Sequence, residues 1–337
     1  MNETTETAYT PTSQMPSLWR VRLRLAWRSF KNSWNLFREN PIGLIGLGII
    51  VMFGLMAIMH PILMATVWEK RTYDPIIGYD IDIFVHPSPP TWLPPDENAI
   101  PPLVEISPFR HILGTDPLGR DVLSMLMYST QSEFALGIMA ALVTVMISTT
   151  VGAMSAYFGG VLDMLFMRLA DVILMLPFIA ILVVLSALFD FQLVHLAVVY
   201  GILAGFGGNT IVIKSQALSI KVKTYIEAAR VAGGNDWHII FTHLVPNLLP
   251  LSFLFMMFTV TNAIFLEAVL SFFGLLNIRM SWGIMIQTIQ AAGYLLSSWK
   301  YWYLMFPAGV SISMLCSAFY LVGRALDEVI NPRLRKR

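Results

Sequence analysis

Six apolar stretches run along the chain, each of a length that fits a bilayer. They are Ile42–Met64, Phe134–Phe158, Val172–Phe189, Phe191–Ile213, Leu244–Leu266 and Tyr301–Gly323. A helix needs about 20 mostly apolar residues to cross the hydrocarbon. The pattern therefore predicts an all-α integral membrane protein with six transmembrane helices. The third stretch is short and contains Pro177, and the fourth has only His195 and Tyr200 as titratable groups. The third and fourth are almost continuous, which demands a tight turn near Asp190.

The polar segments between them divide the chain. Residues 1–40 form an N-terminal tail in which Arg20, Arg22, Arg24, Arg28, Lys31 and Arg38 alternate with Trp19, Leu23, Leu25, Trp27, Phe30 and Trp34. That spacing predicts a basic amphipathic helix on the membrane surface. Residues 41–64 are the first span. Residues 65–133 are a long outer segment, rich in proline at His86–Pro95 and Pro101–Pro102, and read as extended and loop-like. Residues 134–330 carry the other five helices, and 331–337 form a basic tail. Most of the 22 lysines and arginines fall before span one, in the loop between spans four and five, and after span six. The positive-inside rule then puts both termini and that loop in the cytoplasm.

Composition agrees. The chain is 56% hydrophobic and 13% charged, with mean hydropathy +0.66, whereas soluble domains carry about 25% charged residues. A net charge of +1 gives no basic field for nucleic acid. The single cysteine, Cys316, excludes a disulfide within the chain.

The loop of residues 214–246 holds the most distinctive chemistry. A helix is expected from Gln216 to Ala232, stopped by Gly233-Gly234, since glycine supplies the positive φ of a helix C-terminus. Asn235 or Asp236 can cap a second short helix, with Trp237, Ile240 and Phe241 on one apolar face. Pro246 precedes the next span. Read alone, this is a cytosolic helical hairpin whose small Ala228 and Ala229 permit close approach by another molecule.

Glu227-Ala228-Ala229, Gly233 four residues later, and His243-Leu-Val245-Pro246 resemble the EAA loop of ABC importer permeases. Further motifs follow in order: Asn40-Pro41, Leu113-Gly-Thr-Asp-Pro-Leu-Gly-Arg-Asp-Val-Leu-Ser124, Ala156-Tyr-Phe-Gly-Gly160, Met167-Arg168-Leu-Ala-Asp171, Glu267-Ala-Val-Leu-Ser-Phe-Phe-Gly274, Ser281-Trp-Gly283 and Asn331-Pro-Arg-Leu334. Together they resemble the dipeptide/oligopeptide/nickel permease family, in its second, C-type subunit. The resemblance implies a type I ABC importer transmembrane fold over 134–330. It implies a permease that needs partners: a second permease in a heterodimer, two ATP-binding cassette ATPase subunits, and an extracytoplasmic solute-binding protein. ATP and magnesium would be bound by the ATPases and no cofactor by this chain. Glu227, Ala228, Ala229, Gly233 and Asp236 would couple the ATPase.

Other residues call for weighing. Glu267 lies near the outer end of span five, where an acid can line the path or make a structural hydrogen bond. Asp116, Arg120 and Asp121 form an outer charged cluster. It either fixes a helix start as a solvated loop or meets the binding protein or path entrance. Asp163, Arg168 and Asp171 suggest a local ion-pair network, and Gly201 and Gly205 suggest close helix packing, against a partner permease. Scattered histidines, without His-Glu-x-x-His, predict no metal site. Lys214-Ser215 follows Ile213 rather than glycine, so no P-loop is present. The alternatives are a self-sufficient secondary transporter, which predicts inverted repeats, and a membrane enzyme, which predicts convergent polar groups in the spans.

Overall fold

The computed structural model describes residues 27–28, 31–94, 105–295, 297 and 299–330, which are helical without strands. After a helical stretch over residues 31–38, α1 spans Pro41–Thr66. Asn40 explains why the helix starts there. Its side chain accepts from the Gly43 N–H at 3.0 Å, capping the helix, and donates to Glu328 at 2.6 Å. Residues 20–26, 29 and 30 and the Asn331–Leu334 motif lie outside the described residues, so the amphipathic surface helix is left as an expectation.

A one-turn helix, α2 (Lys70–Tyr73), leads into the loop that ends at Asp121. Next, α3 runs over Val122–Phe158. It begins well before the apolar run at Phe134, because Asp121 caps it and the buried Val122, Met125 and Leu126 already face the core. Gly159 and Gly160, both at positive φ, turn the chain into α4 (Gly160–Met175). α4 meets α5 (Phe178–Leu188) at an 83° bend. Pro177 lacks an N–H and pushes Leu176 into extended backbone, so the expected third span is broken near its start. The turn near Asp190 is present, and Asn277 holds it by donating to the Asp190 side chain at 2.8 Å.

α6 (Leu193–Phe206) and α7 (Gly208–Lys221) form a second bent pair, at 44°. Gly201 and Gly205 pack on α3, where an added Cβ would fall 2.7 Å from Val143 and 2.9 Å from Ile147. Their close packing is therefore within the chain.

α8 (Thr224–Val231) is followed by α9, Asp236–Phe272, a 37-residue helix containing a π turn at Ile240–Leu244. α10 (Trp282–Ala291) packs against α3 and α9, and α11 (Trp302–Ile330) closes the bundle against α1 and α9. Four helices are long and apolar enough to cross a membrane, or six spans if each bent pair counts as one. The core lies along α3: Leu136, Ala140, Ala141 and Ala153 are fully buried on it.

Candidate functional site

The expected single helix from Gln216 to Ala232 is two helices. α7 ends at Lys221, Val222 and Lys223 leave helical geometry, and α8 starts at Thr224. Lys221 shows the reason. Its Nζ donates to the Ala156 and Tyr157 carbonyls at 3.0 and 2.8 Å, satisfying the exposed end of α3. That tertiary contact outweighs the continuous helical pattern.

α8 carries Glu227, Ala228, Ala229 and Arg230. Ile226 is fully buried, whereas Glu227 and Ala228 are exposed and Ala229 half-buried. Glu227 has only a loose contact with Arg230, at 3.9 Å. Gly233 takes φ +83° and an added Cβ there would meet nothing, so backbone conformation alone demands glycine. The tip from Glu227 to Gly233 therefore presents small residues, the Glu227 carboxylate, the Arg230 guanidinium and Val231 to its surroundings.

The second arm differs from the expectation. Asn235 occupies the cap position without a capping hydrogen bond, and the arm is the first turn of α9 rather than a separate short helix. The π turn makes this continuity possible. Pro246 offers no N–H to a preceding carbonyl, and the Val245 N–H instead reaches the Ile240 carbonyl, five residues back. Ile240 does not share a face with Trp237 and Phe241. It is fully buried with Ile239, whereas Trp237 and Phe241 are each 48% exposed and stack on one another with centroids 6.0 Å apart.

Asp236 is exposed but tied down. It accepts a 2.6 Å hydrogen bond from the Tyr157 hydroxyl, and the Arg230 guanidinium lies over the Tyr157 ring at 5.8 Å. Tyr157, at the last turn of α3, thus joins both arms of the tip. Nearby, Asp163 pairs with Lys214 at 2.5 Å, while Arg168 contacts Asp171 at 3.6 Å on the surface. The three residues do not form one network.

At the opposite end of α3, Asp116, Arg120 and Asp121 are buried, not solvated. Arg120 grips Asp116 through Nε at 2.8 Å and Nη2 at 2.5 Å, and its Nη2 reaches Thr288 of α10 at 3.4 Å. Asp121 caps α3 through the Ser124 N–H at 2.6 Å. Its other oxygen meets His111 Nδ1 at 2.8 Å, and Asp80 meets His111 Nε2 at 2.8 Å. Arg110 adds a 2.8 Å contact to Asp80. The described residues of the segment after α2, 74–94 and 105–121, are thus an irregular chain cross-linked by buried polar contacts. Burial would push the His111 imidazole down, but its hydrogen bonds to the accepting Asp121 and Asp80 carboxylates outweigh it and raise its pKa. Burial opposes ionisation of Asp80, yet His111, the Asp82 N–H and Arg110 hold its carboxyl below the usual range.

Glu267 is joined to none of these. It is fully buried on α9 and accepts from Ser271 at 2.5 Å. Beside it lies Glu133 of α3, also fully buried, which the sequence reading placed outside the span. An acid immediately preceding an apolar run was the available signal.

Residues 148–336 match the family described as binding-protein-dependent transport system inner membrane component. The dipeptide transport system permease protein DppC of Bacillus subtilis is 29% identical over 309 residues, covering 91% of this chain and 86% of that protein. The oligopeptide transport system permease protein OppC of Haemophilus influenzae is 34% identical over 228 residues, or 67% and 71% of the two chains. The glutathione transport system permease protein GsiD of Pectobacterium atrosepticum is 30% identical over 227 residues, or 67% and 73%.

Proposed function

Since the chain belongs to the family of binding-protein-dependent transport system inner membrane components, we propose that it carries peptides across the cytoplasmic membrane, driven by ATP hydrolysis on partner subunits. It is a permease subunit of an ATP-binding-cassette importer and a multi-pass membrane protein. That membership replaces the secondary transporter and the membrane enzyme as readings of the chain. Peptides are the substrate class because dipeptide and oligopeptide permeases are similar over most of its length.

The working complex is a heterodimer with a second permease, two ATPase subunits that bind ATP and magnesium, and an extracytoplasmic solute-binding protein. This chain contributes no nucleotide site, since it has no glycine-rich phosphate loop. Both termini and the Glu227–Gly233 tip face the cytoplasm, as the distribution of lysine and arginine favours.

The observation that carries the mechanism is the tip itself. Glu227, Ala228 and Gly233 are exposed, while Ile226, Ile239 and Ile240 beneath them are fully buried. An ATPase groove can close on Ala228 and Ala229 without steric penalty, and Glu227 offers charge-assisted hydrogen bonds to it. Asp236, exposed and tied to Tyr157, positions the tip and borders the surface offered to the partner. Asp116, Arg120 and Asp121 seat the outer segment on α3. Movement of the ATPase then reaches α3 and α9 together as a rigid-body displacement.

The test is Ala228→Trp and Gly233→Pro in the assembled importer, with ATPase co-purification and uptake of a labelled dipeptide measured. Both are expected to fall strongly. Wild-type values for both would sink the coupling role.

A further inference from the structure

The Glu133 and Glu267 carboxyls meet inside the protein between α3 and α9, and nothing in the docking mechanism uses them. Both residues are fully buried. Among the described residues, neither oxygen of Glu133 has a hydrogen-bond partner, and neither does Oε2 of Glu267. Each side chain lies within the other's hydrogen-bonding range, yet two carboxylates have no donor to offer. The surroundings supply little else. Ser271 donates to Oε1 of Glu267 at 2.5 Å. Ser281 and the Trp282 N–H, at the N-terminus of α10, lie against the pair, and Cys316 of α11 is the further titratable neighbour.

We propose that Glu133 and Glu267 form a proton-binding site, with one proton shared between the two carboxyls. With no proton, two like charges would face each other in a dry interior without a cation. With one, the missing donor appears, and every free oxygen lies on a carboxyl of a hydrogen-bonded pair. The remaining negative charge is met by Ser271 and by the Trp282 N–H at the start of α10. The proton then ties α3 to α9 beside α10. This holds whichever solute the permease carries.

The site is read by infrared spectroscopy of the assembled importer in lipid vesicles at neutral pH, with and without ¹³C-labelled glutamate. Wild type is expected to show a protonated-carboxyl C=O band that moves on labelling and shifts only slowly in D₂O. Glu133→Gln and Glu267→Gln each supply an amide donor in place of the proton. Each is expected to lose the equivalent of one carboxyl from that band with the amide bands unchanged. Absence of a label-sensitive band in wild type overturns the proposal, and needs no variant to fold. A band that both variants leave intact also overturns it.

Discussion

The Tyr157 hydroxyl donates a 2.6 Å hydrogen bond to Asp236, joining the last turn of α3 to the first turn of α9. Tyr157→Phe removes that bond and little else, at a cost of roughly 1 kcal/mol. The tip is expected to open about five-fold more often. Hydrogen–deuterium exchange over residues 224–240 should rise by that factor, with α3 and α11 unaffected. Equal exchange in the variant would show that Tyr157 does not hold the tip.

The Asp80–His111–Asp121 clamp makes the segment before α3 sensitive to pH. The His111 pKa is raised in the folded protein. Its contribution is therefore fully present below the unfolded value of about 6.5 and is lost as pH rises through the higher folded value. Asp80 is lowered, so its contribution is present above about 3.9 and lost as pH falls through its folded value. Thermal stability should be greatest between these limits. His111→Leu leaves two buried carboxylates without the imidazole, costing roughly 3–5 kcal/mol, and should abolish the alkaline fall. A wild-type profile flat on the alkaline side would contradict this assignment.

Gly283 allows α10 to lie on α9. A Cβ there would sit 2.6 Å from the Ser271 side chain and 2.7 Å from the Ala268 carbonyl. Gly283→Ala is expected to destabilise by about 1–3 kcal/mol through overpacking. Gly233→Ala should cost only about 1–2 kcal/mol of local backbone strain and leave global stability near wild type, since no atom opposes its Cβ. Melting temperatures of the two variants check the contrast, and the reverse order would refute it.

Asn40 serves α1 twice, as its cap and as the donor to Glu328 of α11. Asn40→Ala should lower stability by roughly 1–2 kcal/mol. Asn40→Asp keeps the cap but sets a carboxylate against Glu328, and should be no better. Denaturation of the purified complex, with the aspartate variant clearly the more stable of the two, would refute the link to α11.

The helical membrane class was legible because apolar run length is a local property of the sequence. The glycine at position 233 was legible for the same reason: φ +83° is a demand on one residue. The hidden features are all contacts between distant positions. Lys221 breaks its helix to reach Ala156 and Tyr157. His111 joins Asp80, which lies 31 residues away. The apolar run starts one residue after Glu133 and so sets it in the outer segment, although helix geometry continues back to Val122. Periodicity gives the expected face of Trp237, Ile240 and Phe241, and the π turn shifts Ile240 away from it.

Asp236 and Glu267 belong to one uninterrupted helix, with the π turn and Pro250 inside it. At 1.5 Å per residue they stand about 45 Å apart along its axis. α9 is thus a lever with the Glu227–Gly233 tip at one end and the buried carboxyl pair at the other. A small tilt imposed on the tip is delivered, without an intervening loop, to the place where α3 and α9 meet through Glu133. The proton would then report, at the far end of the molecule, on what the ATPase does at the near one.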